Sequence, residues 1–249
     1  MSEPLSKPVL ILQLRPEDIT ADSEFACFLK YGRLDADNTR RIRIEENGIP
    51  DDVDLDDYSA IIVGGSPFDI SIPENKKSAI QNKIEADFKR LLEQVVSRDF
   101  PFLGACSGNG LLGNYLGTPV TTKYGEAVGC VSLDITDAGS RDKLLEGMPD
   151  QVDVLLGHKE ACDSTPTGAV LLMTGRNCPV QMFRVRENVY ATQFHPEGDA
   201  EEFILRINTY ANHGYFEPHE AEALKQEVSR KPTPYAQELL RRFVAYYLK

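Results

Sequence analysis

The feature that most restricts what this chain can fold into is an apolar run that ends in a cysteine between two glycines. Phe100-Pro101-Phe102-Leu103 reads as a buried strand and passes directly into Gly104-Ala105-Cys106-Ser107-Gly108. Beyond that turn Leu111, Leu112, Tyr115 and Leu116 recur at helical spacing. Strand, tight turn and helix repeat elsewhere. Val9-Leu10-Ile11-Leu12-Gln13-Leu14 is a second buried strand. Tyr58-Ser59-Ala60-Ile61-Ile62-Val63 is a third and runs into Gly64-Gly65-Ser66-Pro67, and Ile80, Ile84, Phe88, Leu91, Leu92 and Val95 trace an amphipathic helix over residues 77–96. Strands alternating with helices predict a parallel sheet covered on both faces, with active residues on loops at the strands' C-terminal ends.

Other stretches fill in the plan. Ser23 is the expected cap of a helix carrying Phe25, Ala26, Phe28 and Leu29; residues 41–44 alternate as an edge strand, and residues 51–57 form an acidic loop. After Gly117 the texture becomes hairpin-rich, with short strands over 120–135 and 152–156 and two apolar runs around Arg186-Glu187-Asn188. A helix returns over 200–210, and residues 218–249 read as two helices separated by Arg230-Lys231-Pro232-Thr233-Pro234. The expected division is a main domain over residues 1–214 and a helical extension over 215–249 packed on it.

At 249 residues the chain buries enough surface to need no covalent staple. Its five cysteines are widely spaced, with no CxxC pair, so neither a disulfide framework nor a metal site is expected. A formal charge of −12 repels phosphate backbones, which argues against nucleic acid as a partner. No apolar stretch approaches the roughly 20 residues that span a bilayer. The N-terminus lacks a basic start and apolar leader, so the expected setting is cytoplasmic.

Chemistry concentrates at two places. A thiol on the glycine-flanked turn sits in strained backbone at a helix N-terminus, an arrangement expected to lower its pKa. Thr192-Gln193-Phe194-His195-Pro196-Glu197 follows another strand. His195 is placed to take the Cys106 proton and return it to a leaving amine, and Glu197 to hold the other ring nitrogen and fix its tautomer. The backbone N–H of Ser107 is the first candidate oxyanion donor; Gly65, with Gly64 beside it, offers the second. No phosphate-binding or ATP motif is present.

The strand leading to Gly64-Gly65, the elbow around Cys106 and the run Gln193-Phe194-His195-Pro196-Glu197 resemble, in order and spacing, the class I (triad) glutamine amidotransferases. The likeness covers roughly residues 8–212 and looks closest to the glutaminase domain of GMP synthetase and its stand-alone relatives. It implies an α/β, three-layer, flavodoxin-like, mostly parallel sheet with helices on both faces, here with a C-terminal helical extension. It also implies a thiol that cleaves the γ-carboxamide of glutamine through a glutamyl thioester, without a cofactor, and a synthetase partner to accept the ammonia. The chain departs from the pattern where the family continues its elbow as Gly-x-Gln. Here Gly108-Asn109-Gly110 lacks the substrate-seating Gln, which should leave extra space beside the nucleophile. Gly157-His158-Lys159-Glu160 also differs, and His158 is expected in the pocket wall. The departures keep two other readings open: a γ-glutamyl peptidase, and an inactive amidotransferase-like binding protein.

Overall fold

The computed structural model describes residues 7–248, so the reading of the first six residues as free of a leader lies outside the described residues. In chain order the elements are β1 (Val9–Gln13), α1 (Asp18–Gly32), β2 (Thr39–Arg43), α2 (Ile44–Asn47), β3 (Ala60–Val63), α3 (Ala79–Arg98), β4 (Phe102–Ala105) and α4 (Ser107–Tyr115). There follow β5 (Val120–Thr121), β6 (Glu126–Ile135), β7 (Gln151–His158), β8 (Ala161–Cys162), β9 (Ala169–Thr174), β10 (Met182–Val185) and β11 (Val189–Thr192). The chain ends in α5 (Ala200–Thr209), α6 (Ala221–Arg230) and α7 (Pro234–Tyr247). Among the described residues no helix is long and apolar enough to cross a membrane.

Nine strands form one sheet in the order β2-β1-β3-β4-β11-β10-β9-β6-β7. The first five pair in parallel and the remaining pairs are antiparallel. β1, β3, β4 and β11 are buried along their whole length, which is why they read as unbroken apolar runs, whereas edge strand β2 is half-buried and carries three arginines. Alternate residues of one strand feed opposite layers. Leu10 and Leu12 join Phe88, Leu92 and Leu112 on one face, and Val9 and Ile11 join Phe28, Leu240 and Phe243 on the other. The result is the α/β sandwich with helices on both faces that the alternation of strands and helices predicts.

Some details differ from expectation. Ser23 caps nothing: α1 begins five residues earlier, at Asp18, because Thr20 and Ala21 already pack inward, so Ser23 lies in its middle. Strand β9 carries no turn-bounded alternation and escaped the sequence reading. The C-terminal helices lie on the sheet. Val228 of α6 joins Leu155, Phe203 and Ile207, and α7 buries Leu239, Leu240 and Phe243 against the same layer as α1, each contributing about 2 kcal/mol of burial.

Candidate active site

β4 and α4 meet at Cys106, whose backbone takes φ +51° and ψ −93°. A non-glycine residue holds such a conformation at a cost of about 1–3 kcal/mol, so the surroundings must enforce it. They do so through Gly104: a Cβ there would lie 2.7 Å from the Gly108 backbone, so only glycine at 104 lets strand and helix close so tightly, while a Cβ on Gly108 would press on Val63 of β3 at 3.3 Å. The thiol is half-buried at the N-terminus of α4. Its pKa, however, moves opposite to expectation. Burial pushes it up to about 12 although Arg15 and Arg206 pull it down, so desolvation outweighs the two guanidiniums and favours the thiol form.

His195 and Glu197 follow β11. The His195 N–H donates to the Leu155 carbonyl at 3.0 Å, and the ring packs edge-on against Phe203. Nδ1 lies 2.7 Å from Glu197 Oε1; a carboxylate accepts, so Nδ1 carries the hydrogen and Nε2 is left basic. Burial, with help from Arg206, lowers the imidazole pKa to about 4. Burial disfavours the Glu197 carboxylate, but His195 and Arg206 overcome this and hold it well below the usual range. Cys106 and His195 line one cavity with Arg15, Ser66, Arg206 and Tyr215.

Beneath the pair lies a buried ionic cluster absent from the sequence reading. Arg206 bonds Glu197 at 3.0 Å and Glu24 at 3.4 Å, and pairs with Glu202 one helical turn away. Arg15 bonds Glu24 at 2.7 Å, while Gln13 Nε2 donates to the second Glu24 oxygen at 2.9 Å. Burial raises Glu202 to about 7, against the pull of Arg206 and Arg15. Glu24, His195 and Glu197 bring ligand atoms within 4.8 Å of one another, but the arginines already neutralise the carboxylates and disfavour a metal there.

The same cluster dictates the glycine pair. A Cβ on Gly64 would collide with the Glu24 carboxylate, and one on Gly65 would lie 2.6 Å from Arg15 Nη2 and 2.7 Å from His195 Cε1. The Gly65 N–H donates to Glu24 Oε1 at 3.2 Å. It therefore does not stand free over the thiol. Ser107 occupies the first position of α4, where the helix itself supplies no acceptor for the N–H.

A second cavity on the other side of Cys106 is lined by Gly110, Val120, His158, Glu160, Gln193 and Tyr215. Ser66 and Tyr215 border both cavities, and the Tyr215 hydroxyl lies 3.5 Å from the Ser66 carbonyl. His158 lies in its wall. The space expected beside the nucleophile is there in part, as the cavity that Cys106, Ser107 and Gly110 line, but the room for a side chain at 110 is taken: a Cβ on Gly110 would lie 2.9 Å from Ile70 Cδ1. Ile70 is held in place because Glu160 accepts its N–H at 2.7 Å and that of Ser71 at 2.8 Å. Lys159, bonded to Asp69 at 2.6 Å and lying 5.0 Å from the centre of the Tyr215 ring, ties the same loop down. Glycine at 110 thus makes room for a wedge from another loop.

The family model described as "Glutamine amidotransferase class-I" matches residues 35–220. The chain belongs to this family. Among curated proteins, one component of a glutamine-hydrolyzing GMP synthase from Sulfurisphaera tokodaii is 30% identical over 144 residues, covering 57% of this chain and 69% of the relative. A glutamine-hydrolyzing GMP synthase from Syntrophomonas wolfei is 27% identical over 178 residues, which are 68% of this chain but 31% of that protein, so the chain spans under a third of that relative's length. Among solved structures, a glutamine amidotransferase from Thermotoga maritima superposes with a TM-score of 0.76 at 21% identity, covering 97% of this chain and 98% of the other. One from Methylobacillus flagellatus gives 0.70 at 20%, covering 99% and 96%. At such identities the structural likeness shows the fold.

Proposed function

We propose that this amidotransferase-family chain hydrolyses a γ-carboxamide, that of glutamine first, with Cys106 as nucleophile, His195 as proton carrier and Glu197 as the group that orients and supports the imidazole. The observation that carries the reading is the shared cavity: a thiol on strained backbone and a basic imidazole nitrogen whose tautomer Glu197 fixes. Because the resting pair is neutral, the thiol proton passes to His195 Nε2 as sulfur attacks the amide carbon. The developing imidazolium is stabilised by Glu197, and the thiolate and oxyanion by Arg15, Arg206 and the Ser107 N–H. The Gly65 N–H joins them once it exchanges Glu24 for the oxyanion. The C–N bond then breaks as His195 returns its proton to the amine. Water, deprotonated by His195, opens the glutamyl thioester, and glutamate and ammonia leave.

The Sulfurisphaera relative is named as one component of a GMP synthase, and this chain likewise fits a glutaminase that passes ammonia to a synthetase on another chain. A second reading has one observation behind it. Phe68 and Val120 give the pocket beside Gly110 apolar walls, which suits a γ-glutamyl amide whose leaving amine carries an apolar group.

The test is amine release from L-glutamine and a panel of γ-glutamyl amides and dipeptides, with wild type beside Cys106→Ser and His195→Ala. Turnover lost in both variants is expected, with a fall of at least about 10³-fold. Turnover of peptides alone would move the assignment to a γ-glutamyl peptidase. Absence of turnover, together with no preferential alkylation of Cys106 by a γ-glutamyl electrophile, would overturn the reading and leave a binding protein.

A further inference from the structure

Glu126 of β6, His158 at the end of β7 and Cys178 in the loop before β10 come from three separate segments, yet each places one ligand atom within 4.8 Å of the others. The Glu126 and His158 side chains are 6% and 2% exposed, and Cys178 is fully buried. His158 Nδ1 lies 3.0 Å from the Glu160 carbonyl, which can only accept, so Nδ1 carries the hydrogen. Nε2 then meets Glu126 Oε2 at 3.1 Å. In a neutral imidazole this sets a lone pair against a carboxylate oxygen, two acceptors face to face. A shared proton or a metal cation must relieve that contact.

Two observations favour the cation. A proton between His158 and Glu126 gives no reason for a soft sulfur beside them, and the Cys178 thiol has only a long contact, 3.7 Å, to the Val180 carbonyl. Gln181, also fully buried, donates Nε2 to Glu126 Oε2 at 2.6 Å while its Oε1 has no partner. Turning that amide over exchanges the two atoms and brings a fourth donor to the cluster. We propose that Glu126, His158, Cys178 and Gln181 form a closed structural site for a divalent transition-metal cation, zinc by the character of its ligands. Imidazole nitrogen, thiolate and carboxylate are zinc's usual donors, at about 2.0–2.3 Å, and the Nδ1–H···O=C bond is the support a metal-bound histidine ordinarily has. Binding requires the donors to contract around the ion and the Cys178 proton to leave to solvent.

Such a site would brace the active-site wall. Gln181 accepts the Gln193 N–H at 2.7 Å, two residues before His195, and His158 borders the Gly110 cavity. The site does not depend on the amidohydrolase reading, and its test uses no turnover.

The test uses the full chain carrying Cys106→Ser, which removes the other thiol near a histidine, stripped with a chelator and titrated with Co²⁺ and then Zn²⁺. One equivalent of cobalt should give a thiolate-to-metal charge-transfer absorption that zinc abolishes, and zinc should raise Tm by about 5 °C. Adding Cys178→Ser should remove the absorption and weaken zinc binding by about 100-fold; His158→Gln should weaken binding comparably, while Cys130→Ser leaves both intact. Circular dichroism establishes that each protein is folded. A folded parent without the absorption, or an absorption indifferent to both ligand substitutions, overturns the site and leaves an imidazolium–carboxylate pair in its place.

Discussion

The two sides of Cys106 are built from different materials. Towards His195 the cavity rests on Arg15, Arg206, Glu24 and Glu197, groups that are almost completely buried and bonded to one another within one ionic cluster. Towards Gly110 the wall is Phe68, Val120 and His158, with Ile70 wedged against Gly110, and its shape depends on a loop pinned by Glu160 and Lys159. Buried charge fixes protonation and orientation at high energetic stakes; an apolar wedge on a tethered loop fixes only shape. The first side should therefore govern reactivity and the second the choice of leaving amine.

The sharpest way to break this contrast is Arg206→Met. It leaves Glu197 and Glu24 short of a partner in the interior, and urea unfolding should show a loss of about 3–5 kcal/mol, with activity falling in proportion to the folded fraction or further. A smaller loss, on the scale of a surface pair, would mean that the cluster does not control this side.

pH sharpens the same point. His195 falls from an ordinary 6.5 to about 4 on folding, so between those values the unfolded chain binds a proton that the native state refuses. Stability from this group is complete above about pH 6.5 and is lost as pH drops towards 4, by about 3 kcal/mol in all. His195→Gln should flatten that part of the stability profile. An unchanged slope in the variant would show that burial of the imidazole is not the cause.

On the Gly110 side the effects should be smaller and selective. Ile70→Ala should cost about 1 kcal/mol of stability and shift the ratio of kcat/KM between bulky and unsubstituted γ-glutamyl amides by about 10-fold towards the bulky ones. Glu160→Gln, which weakens the anchors of Ile70 and Ser71, should move the ratio the same way by a few-fold. A general fall in kcat with no change in the ratio would show that the two sides are not separable.

Much of this was legible in the chain. The unbroken apolar runs of β1, β3 and β4, and the glycines at 104 and 108, announce buried parallel strands and a forced turn, because the 2-residue and 3.6-residue periods and the lack of a Cβ are local properties. Cys106, His195 and Glu197 stood out for the same reason: each sits in a short motif at a strand end. The ionic cluster left a fainter trace. Arg15 directly follows an apolar strand, and Arg206 falls on the inward stripe of α5 between Phe203 and Ile207, but charge on an apolar face does not reveal its partner. Nor did spacing hint at the grouping of Glu126, His158, Cys178 and Gln181.

What the sequence determined by itself is the alternation of strands and helices in the parallel half, the glycine-flanked elbow and the family pattern, all of which depend on neighbours a few residues apart. Tertiary structure alone decided that Ile70 wedges against Gly110, that Glu24 holds the Gly65 N–H, and that burial drives the Cys106 pKa up rather than down. Each of these depends on which distant segments come together and on how much water they exclude, and desolvation and long-range contact are not encoded at any single position in the chain.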